Sequence, residues 1–283
     1  MLIATFSIAA TDGTDWGVAV ASKFLAVGSA VPAAAAGVGA IATQAMANTA
    51  YRPDGLRWLG QGLPAAEVVA ALTGADPERE HRQLGVVDKA GGAATYTGSA
   101  CFSWAGGRTG PGCACQGNIL AGPEVVDAMM ADFAASHGGL TSRLLGALVA
   151  GDTAGGDRRG RQSAAILVVR AGAGYGGFDD RMVDLRVDDH TEPIPELVRL
   201  VDLWRLHFEA PDPEQMLPLD DQLLERVRRS LTRMGRTAAT ASREQTLDAL
   251  QAWAGMENLE ERCHSREQMD PLVMRLLEER ATG

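Results

Sequence analysis

Aromatic residues make up only 5% of this 283-residue chain. A protein that grips single-stranded nucleic acid needs more stacking surfaces than that. Positive charge is also short, with 26 Lys+Arg against 36 Asp+Glu and a formal net charge of -10. That balance argues against a nucleic-acid backbone as partner and favours solubility. Long apolar runs are lacking as well. The longest low-charge stretch, residues 24–51, is rich in Ala and Gly and contains Pro32. It reads as buried strands rather than a membrane span. The start has no basic segment, and its apolar run is broken at Thr5, Ser7 and Asp12. The expectation is no signal peptide, no membrane partner and a cytoplasmic location.

There are four cysteines: Cys101, Cys113, Cys115 and Cys263. Zinc sites usually space cysteine pairs by two to four residues, whereas Cys113 and Cys115 have one between them. They read as small core residues in a reducing compartment, neither metal ligands nor a disulfide. His81, His137, His190, His207 and His264 fall in no catalytic or metal-binding motif. The chain also lacks a nucleophile elbow, a phosphate loop and a Gly-x-Gly-x-x-Gly fingerprint after a strand. No cofactor and no metal are expected.

What is present is a large apolar fraction, 46%, enough for one large domain or for a main domain and a small one. Residues 3–10 and 16–22 read as strands split by the turn signal Asp12-Gly13. Residues 37–44 are a third strand. The Ala, Gly and Val content of these segments suits a sheet buried on both faces. Helices are predicted at 53–59 and at 64–72, where Pro64 suits a first turn and Gly74 an end. A hairpin follows at 84–87 and 93–97, then a strand at 113–120. Helices at 123–136 and 140–150, strands at 163–170 and 182–187, and an amphipathic helix at 195–208 complete the main part. Helix pairs between antiparallel strand blocks predict an α+β fold of stacked sheets with helices outside, not a doubly wound sheet. Composition changes at Pro211-Asp-Pro213. Beyond it, 217–234, 243–254 and 269–280 read as three helices. The expected division is a domain at 1–210 and a helical one at 211–283.

Several groups of residues are candidates for chemistry. Thr5, Ser7 and Ser22-Lys23 lie on two adjacent strands, and Thr5 and Ser7 share a face. A hydroxyl nucleophile needs a neighbouring base or cation, and an α-amine or a lysine can serve. These residues also read as ordinary strand hydroxyls. In Gly155-Gly-Asp157-Arg-Arg-Gly160-Arg161-Gln162-Ser163, three arginines, an acid, an amide and a serine crowd one loop. Arginines there suit a carboxylate, and a solvated turn with local ion pairs is the other reading. Asn118, at a strand end, suits an oxyanion donor or a turn amide. Gln44 and Asn48, with Thr43 and Tyr51, end the third strand as ligand contacts or as capping groups. Asp184, Arg186 and Asp188 alternate onto one face, as an ion-pair ladder or a divalent-metal site.

Long stretches of the chain resemble the family DUF1028. They are Thr5-Phe-Ser-Ile-Ala-Ala, Gly17-Val-Ala-Val-Ala-Ser-Lys23, Gly37-Val-Gly-Ala-Ile-Ala-Thr-Gln44, Gln116-Gly-Asn-Ile-Leu-Ala-Gly-Pro123, residues 155–164, and residues 176–181 with 184–188. The resemblance implies an N-terminal-nucleophile (Ntn) hydrolase-like αββα four-layer sandwich. It further implies hydrolysis of a small amide, with Thr5 as nucleophile, Lys23 as helper, and Asn118 and the Arg161–Ser163 loop facing a small-molecule substrate. An amine-assisted nucleophile must come first in its chain, yet four residues precede Thr5. Leu2 is too bulky for simple Met trimming to expose it. A non-catalytic binding module on the same scaffold is the alternative. The tail resembles the helical peptidoglycan-binding domains joined to this family, through Thr246-Leu-Asp-Ala-Leu-Gln-Ala-Trp253, Glu257-Asn-Leu-Glu-Glu-Arg262 and the segment from Met269 onward. A helical cap packing on a sister subunit, in a homo-dimer or larger homo-oligomer, is the other reading of the tail.

Overall fold

A computed structural model describes residues 5–263 and 265–282. The leader at residues 1–4 and His264 lie outside the described residues. In chain order the first unit holds β1 (Thr5–Thr11), β2 (Trp16–Ser22), α1 (Val27–Ala30), β3 (Pro32–Ala35), β4 (Gly39–Ala45), α2 (Tyr51–Gly60) and α3 (Ala65–Gly74). Next come β5 (Arg82–Asp88), β6 (Ala93–Thr97), β7 (Ala105–Gly110), β8 (Cys113–Asn118), α4 (Glu124–Ala135) and α5 (Leu140–Thr153). Then follow β9 (Ser163–Val169), β10 (Arg181–Val187) and the first half of α6 (Pro193–Phe208). The elements predicted from periodicity are all there, within a few residues. In this unit two strands were not predicted, β3 and β7. Their sequences, PAAA and AGGRTG, carry no β-branched stripe, and pairing with β4 and β8 makes them strands.

The strands form two antiparallel sheets. One has six strands in the order β10-β9-β2-β1-β8-β7, and the other has four in the order β3-β4-β5-β6. Alternation along each strand sorts the side chains. On β1, Phe6, Ile8 and Ala10 face α4 and α5, where Gly17 and Gly151 let Leu144 and Met129 come close. Thr5, Ser7 and Ala9 face the other sheet. The smaller sheet sends Ile41, Leu84 and Val86 towards α2 and α3. Its opposite face turns Ala40, Ala42 and Val87 onto Ala9, Val18, Val20 and Ala114 of the larger sheet. Short side chains on both inner faces let the two sheets approach closely.

The buried, free Cys113 and Cys115 belong to β8, and burial pushes both thiols up. Asp15 is buried beside β2 and takes a two-pronged ion pair from Arg170, at 2.5 and 2.7 Å. Of the ladder expected from Asp184, Arg186 and Asp188, the Asp184–Arg186 pair is present at 3.0 Å, and Arg181 joins Asp184 at 3.2 Å.

The second compact unit covers Val201–Gly283. The division falls inside α6, while composition changes only at Pro211. The unit adds β11 (Leu217–Pro218), α7 (Asp221–Arg233), α8 (Arg243–Met256), β12 (Gln268–Met269) and α9 (Pro271–Arg280). Each helix start has a side-chain cap. Asp220 accepts from the Leu223 amide, Ser242 and Gln245 form a capping box, and Asp270 accepts from the Leu272 amide. Leu224, Val227, Leu231, Trp253, Val273 and Leu277 make its core. At its centre the buried Arg262 pairs with the buried Asp270 and donates to the Arg205 and Glu209 carbonyls. Among the described residues, no helix is long and apolar enough to cross a membrane.

Candidate functional site

The inner faces of the two sheets change character along the strands. Most rows are Ala and Val. At the end where β1 begins, they become polar. Register puts Thr5 opposite both Ser22 on β2 and Asn118 on β8, so three polar side chains share one row and one face. The next row on that face pairs Ser7 with Gln116. From the opposite sheet, Gln44 and Gln83 are register partners, and Thr97 lies beside Gln83. Thr5, Ser7, Ser22, Gln44, Gln83, Gln116 and Asn118 are all buried, six of them completely.

Buried amides need partners, and most of theirs are one another. Ser7 donates to Gln44 Oε1 at 2.6 Å and accepts from Gln116 Nε2 at 2.7 Å. Gln44 Nε2 donates to Gln83 Oε1 at 2.9 Å and reaches the Thr5 carbonyl at 3.3 Å. Gln83 Oε1 also accepts from Asn118 Nδ2 at 2.8 Å. Gln83 Nε2 donates to the Gly117 carbonyl at 2.7 Å and to Thr97 at 2.9 Å. Thr5 Oγ1 donates to Ser22 Oγ at 3.1 Å. The glutamines therefore tie the two sheets together through backbone carbonyls that already serve the strand ladder. Among the described residues, two acceptors have no partner, Asn118 Oδ1 and Gln116 Oε1. The backbone is strained at the same place. Ala45 and Ile119, the residues after Gln44 and Asn118, have φ of 66° and 53°. Left-handed conformations at non-glycine residues cost on the order of 1–2 kcal/mol each and cluster at functional sites.

Gly85 makes room for this layer. A Cβ there would stand 1.9 Å from Gln116 Oε1 and 2.5 Å from its Cδ. Gln116 is fully buried, so its amide has nowhere else to go. Gly85→Ala is expected to dislodge that amide from Ser7 and to destabilise by roughly 1–3 kcal/mol. Urea unfolding measures it, and a midpoint equal to wild type would mean the amide layer is not tightly packed.

The other predicted residues go elsewhere. Lys23 follows Ser22, so strand alternation turns it away from Thr5. Its exposed Nζ donates to the Arg161 carbonyl at 3.2 Å. Asp157 is buried and holds the loop: it accepts from the Lys23 amide at 3.0 Å and pairs with Arg159 at 2.8 Å. Arg161 pairs with Asp152, and Gln162 donates to Asp189. Ser163, opposite Ser22 in register, donates to the Phe24 carbonyl and accepts from the Val27 amide. A cavity of about 10 Å³ lies among Phe6, Ser22, Asp157 and Arg161, room for about one water. Asn48 diverges from Gln44 and, with Tyr51, binds the buried Asp76 beside a separate cavity of about 240 Å³.

Gln83, the hub of the amide layer, was missed in the sequence. It stands at the start of an apolar strand, and only the register with Gln44 reveals its role. A buried-side amide two positions before Gly85 was the available signal.

Comparison with known proteins gives a family and a fold. Residues 5–197 match the model described as "Family of unknown function (DUF1028)". Residues 207–277 match one described as "Putative peptidoglycan binding domain". A crystal structure of a DUF1028 protein from Silicibacter pomeroyi is similar, with a TM-score of 0.65 and 33% identity over 71% of this chain and 89% of that one. No curated protein matches.

Proposed function

Since this chain belongs to the DUF1028 family, we propose that its first unit is a latent hydrolase of small amides built on an Ntn-hydrolase-like αββα sandwich. Thr5 is its nucleophile once residues 1–4 have been removed. The observation that carries this reading is the single buried row of Thr5, Ser22 and Asn118 across three adjacent strands, backed by Gln83 and Gln44. The freed amine of Thr5 takes the proton from Oγ1 as the oxygen attacks the substrate carbonyl. The Asn118 amide faces the developing oxyanion, oriented by Gln83. The amine then passes its proton to the departing nitrogen, and water hydrolyses the Thr5 ester. Lys23 has no part in these steps: it pins the 157–163 loop through the Arg161 carbonyl.

The test compares the full chain with one whose first residue is Thr5, assayed on a panel of N-acyl p-nitroanilides. The shortened chain should turn over at least one of them. Thr5→Ser should retain activity and Thr5→Ala should lose it by about a thousandfold or more. A folded Thr5-first chain without turnover, or turnover that survives Thr5→Ala, overturns the reading.

A second reading concerns the second unit, and the match at residues 207–277 favours it. It binds peptidoglycan, and sedimentation with purified cell wall is expected to retain the full chain. A chain that stays wholly in the supernatant would rule this out.

A further inference from the structure

A groove of about 580 Å³ opens between α2 and β3 on one side and β9 and β10 on the other. We propose that it binds a small organic acid, its carboxylate held between Arg52 and Arg186 and its apolar body lying on Leu56, Leu167 and Val169. The groove opens on Leu167 and Val169, four and six residues along β9 from Ser163, whose row holds Ser22 and Thr5. The proposal is therefore independent of the hydrolase reading.

Both side chains lie against neighbouring residues of α1. Arg52 Nη1 donates to the Ser29 carbonyl at 2.8 Å. Arg186 lies across Gly28, where an added Cβ would come within 3.2 Å of its Cγ and Cδ. Arg186 has a carboxylate, Asp184, which it shares with Arg181. Among the described residues Arg52 has none: the one hydrogen bond of its guanidinium is to that carbonyl. It also stands in the first turn of α2, where the helix dipole disfavours a cation. Burial lowers the affinity of Arg52 for its proton, and the charge of Arg186 lowers it further. A half-buried guanidinium beside a second one, at the positive end of a helix, lacks an anion.

The other acids of the groove do not supply it. Asp179 and Asp180 accept the backbone N–H groups of Arg181 and Gly172 at the far lip. The remaining walls are Pro32, Ala33, Ala34 and Leu56, with Leu167 and Val169 beneath. They suit an aliphatic or aromatic body. The volume lies in the usual range for small-ligand pockets, about 300–1,000 Å³. Arg186 holds Asp184 through Nε and Nη2, so the two-pronged contact to a carboxylate falls to Arg52, with the charge of Arg186 beside it.

Isothermal titration of the full chain with hexanoate, phenylacetate and succinate tests this, with hexanamide as the uncharged control and inorganic phosphate as the competing anion. At least one carboxylate should bind one-to-one, and hexanamide should not. Arg52→Gln keeps a donor for the Ser29 carbonyl, so the fold should hold, and affinity should fall about tenfold or more. The proposal is overturned if no carboxylate binds, if Arg52→Gln binds as tightly as wild type, or if phosphate binds and the carboxylates do not.

Discussion

Replacing Arg262 with Met should destabilise the second unit by about 3–5 kcal/mol. Both Arg262 and Asp270 are buried, with 5% and 3% of their surface exposed. Removing the guanidinium leaves a carboxylate in a low-dielectric core with no cation to face. It also takes a donor from the Glu209 carbonyl and from the Arg205 carbonyl, which keeps the Glu209 amide. The Cys263 thiol, pushed up to about 12 by burial and then by the Asp270 carboxylate, registers the same field. Hydrogen exchange at the amides of α7, α8 and α9 reads the loss locally. The double change Arg262→Met with Asp270→Asn should recover part of it. Asn still caps α9 as Asp270 does for the Leu272 amide, and it leaves no buried charge. An Arg262→Met protein within about 0.5 kcal/mol of wild type would show that the pair is dispensable.

Asp76→Ala should cost the first unit about 3 kcal/mol, in the range for breaking a buried charged pair. Asp76 Oδ2 accepts from Tyr51 Oη at 2.8 Å, from Arg82 Nε at 2.9 Å and from Asn48 Nδ2 at 3.1 Å, while Oδ1 accepts the Glu78 amide at 2.8 Å. One carboxylate thus joins the start of α2, the loop after α3 and the first residue of β5. Burial alone would raise its pKa. The hydrogen bonds from Arg82, Asn48, the Glu78 amide and Tyr51 outweigh burial and hold it well below the usual carboxylate range. Its folded value is therefore below its unfolded one. The stability it confers is complete above the unfolded value and disappears as pH falls towards the folded one. Tyr51 is the mirror case: burial, then the bond and charge of Asp76, push its hydroxyl up. Its contribution is complete below the ordinary tyrosine value and fades at strongly alkaline pH. Urea melts from about pH 2 to pH 7 should show a flatter acid limb for Asp76→Ala than for wild type. Parallel limbs would remove Asp76 from the list of acid-sensitive groups.

Much of the fold was legible. The Asp12-Gly13 turn, the small-residue strands β1 and β2, and the paired helices gave element type and order, because period and turn chemistry are local properties. β3 and β7 were not legible, since four residues of Pro and Ala, or six with three glycines, hold no local preference for a strand. The site was legible as a region more than as a set. Thr5 and Ser7 were chosen as hydroxyls sharing one strand face, Asn118 and Gln44 as polar groups at strand ends, and the structure brings the four together. Lys23 was chosen for its place at the end of the strand next to that of Thr5, and alternation past Ser22 turns its side chain away.

By itself the sequence determined the antiparallel sheets with their paired helices, the change of composition after residue 210, and the family through the motifs from Thr5 to Asp188. These follow from local periodicity and from residue identity. Only the tertiary structure decided which polar groups meet. Gln83 and Gln44 reach Asn118 and Thr5 because two sheets stack in one register, and Gly85 leaves the space that Gln116 fills. Arg52 reaches the same segment as Arg186 because α2 and β10 flank a single groove, though 134 positions separate them in the chain (186 minus 52). Contacts of that kind depend on packing between distant segments, and no local pattern encodes them.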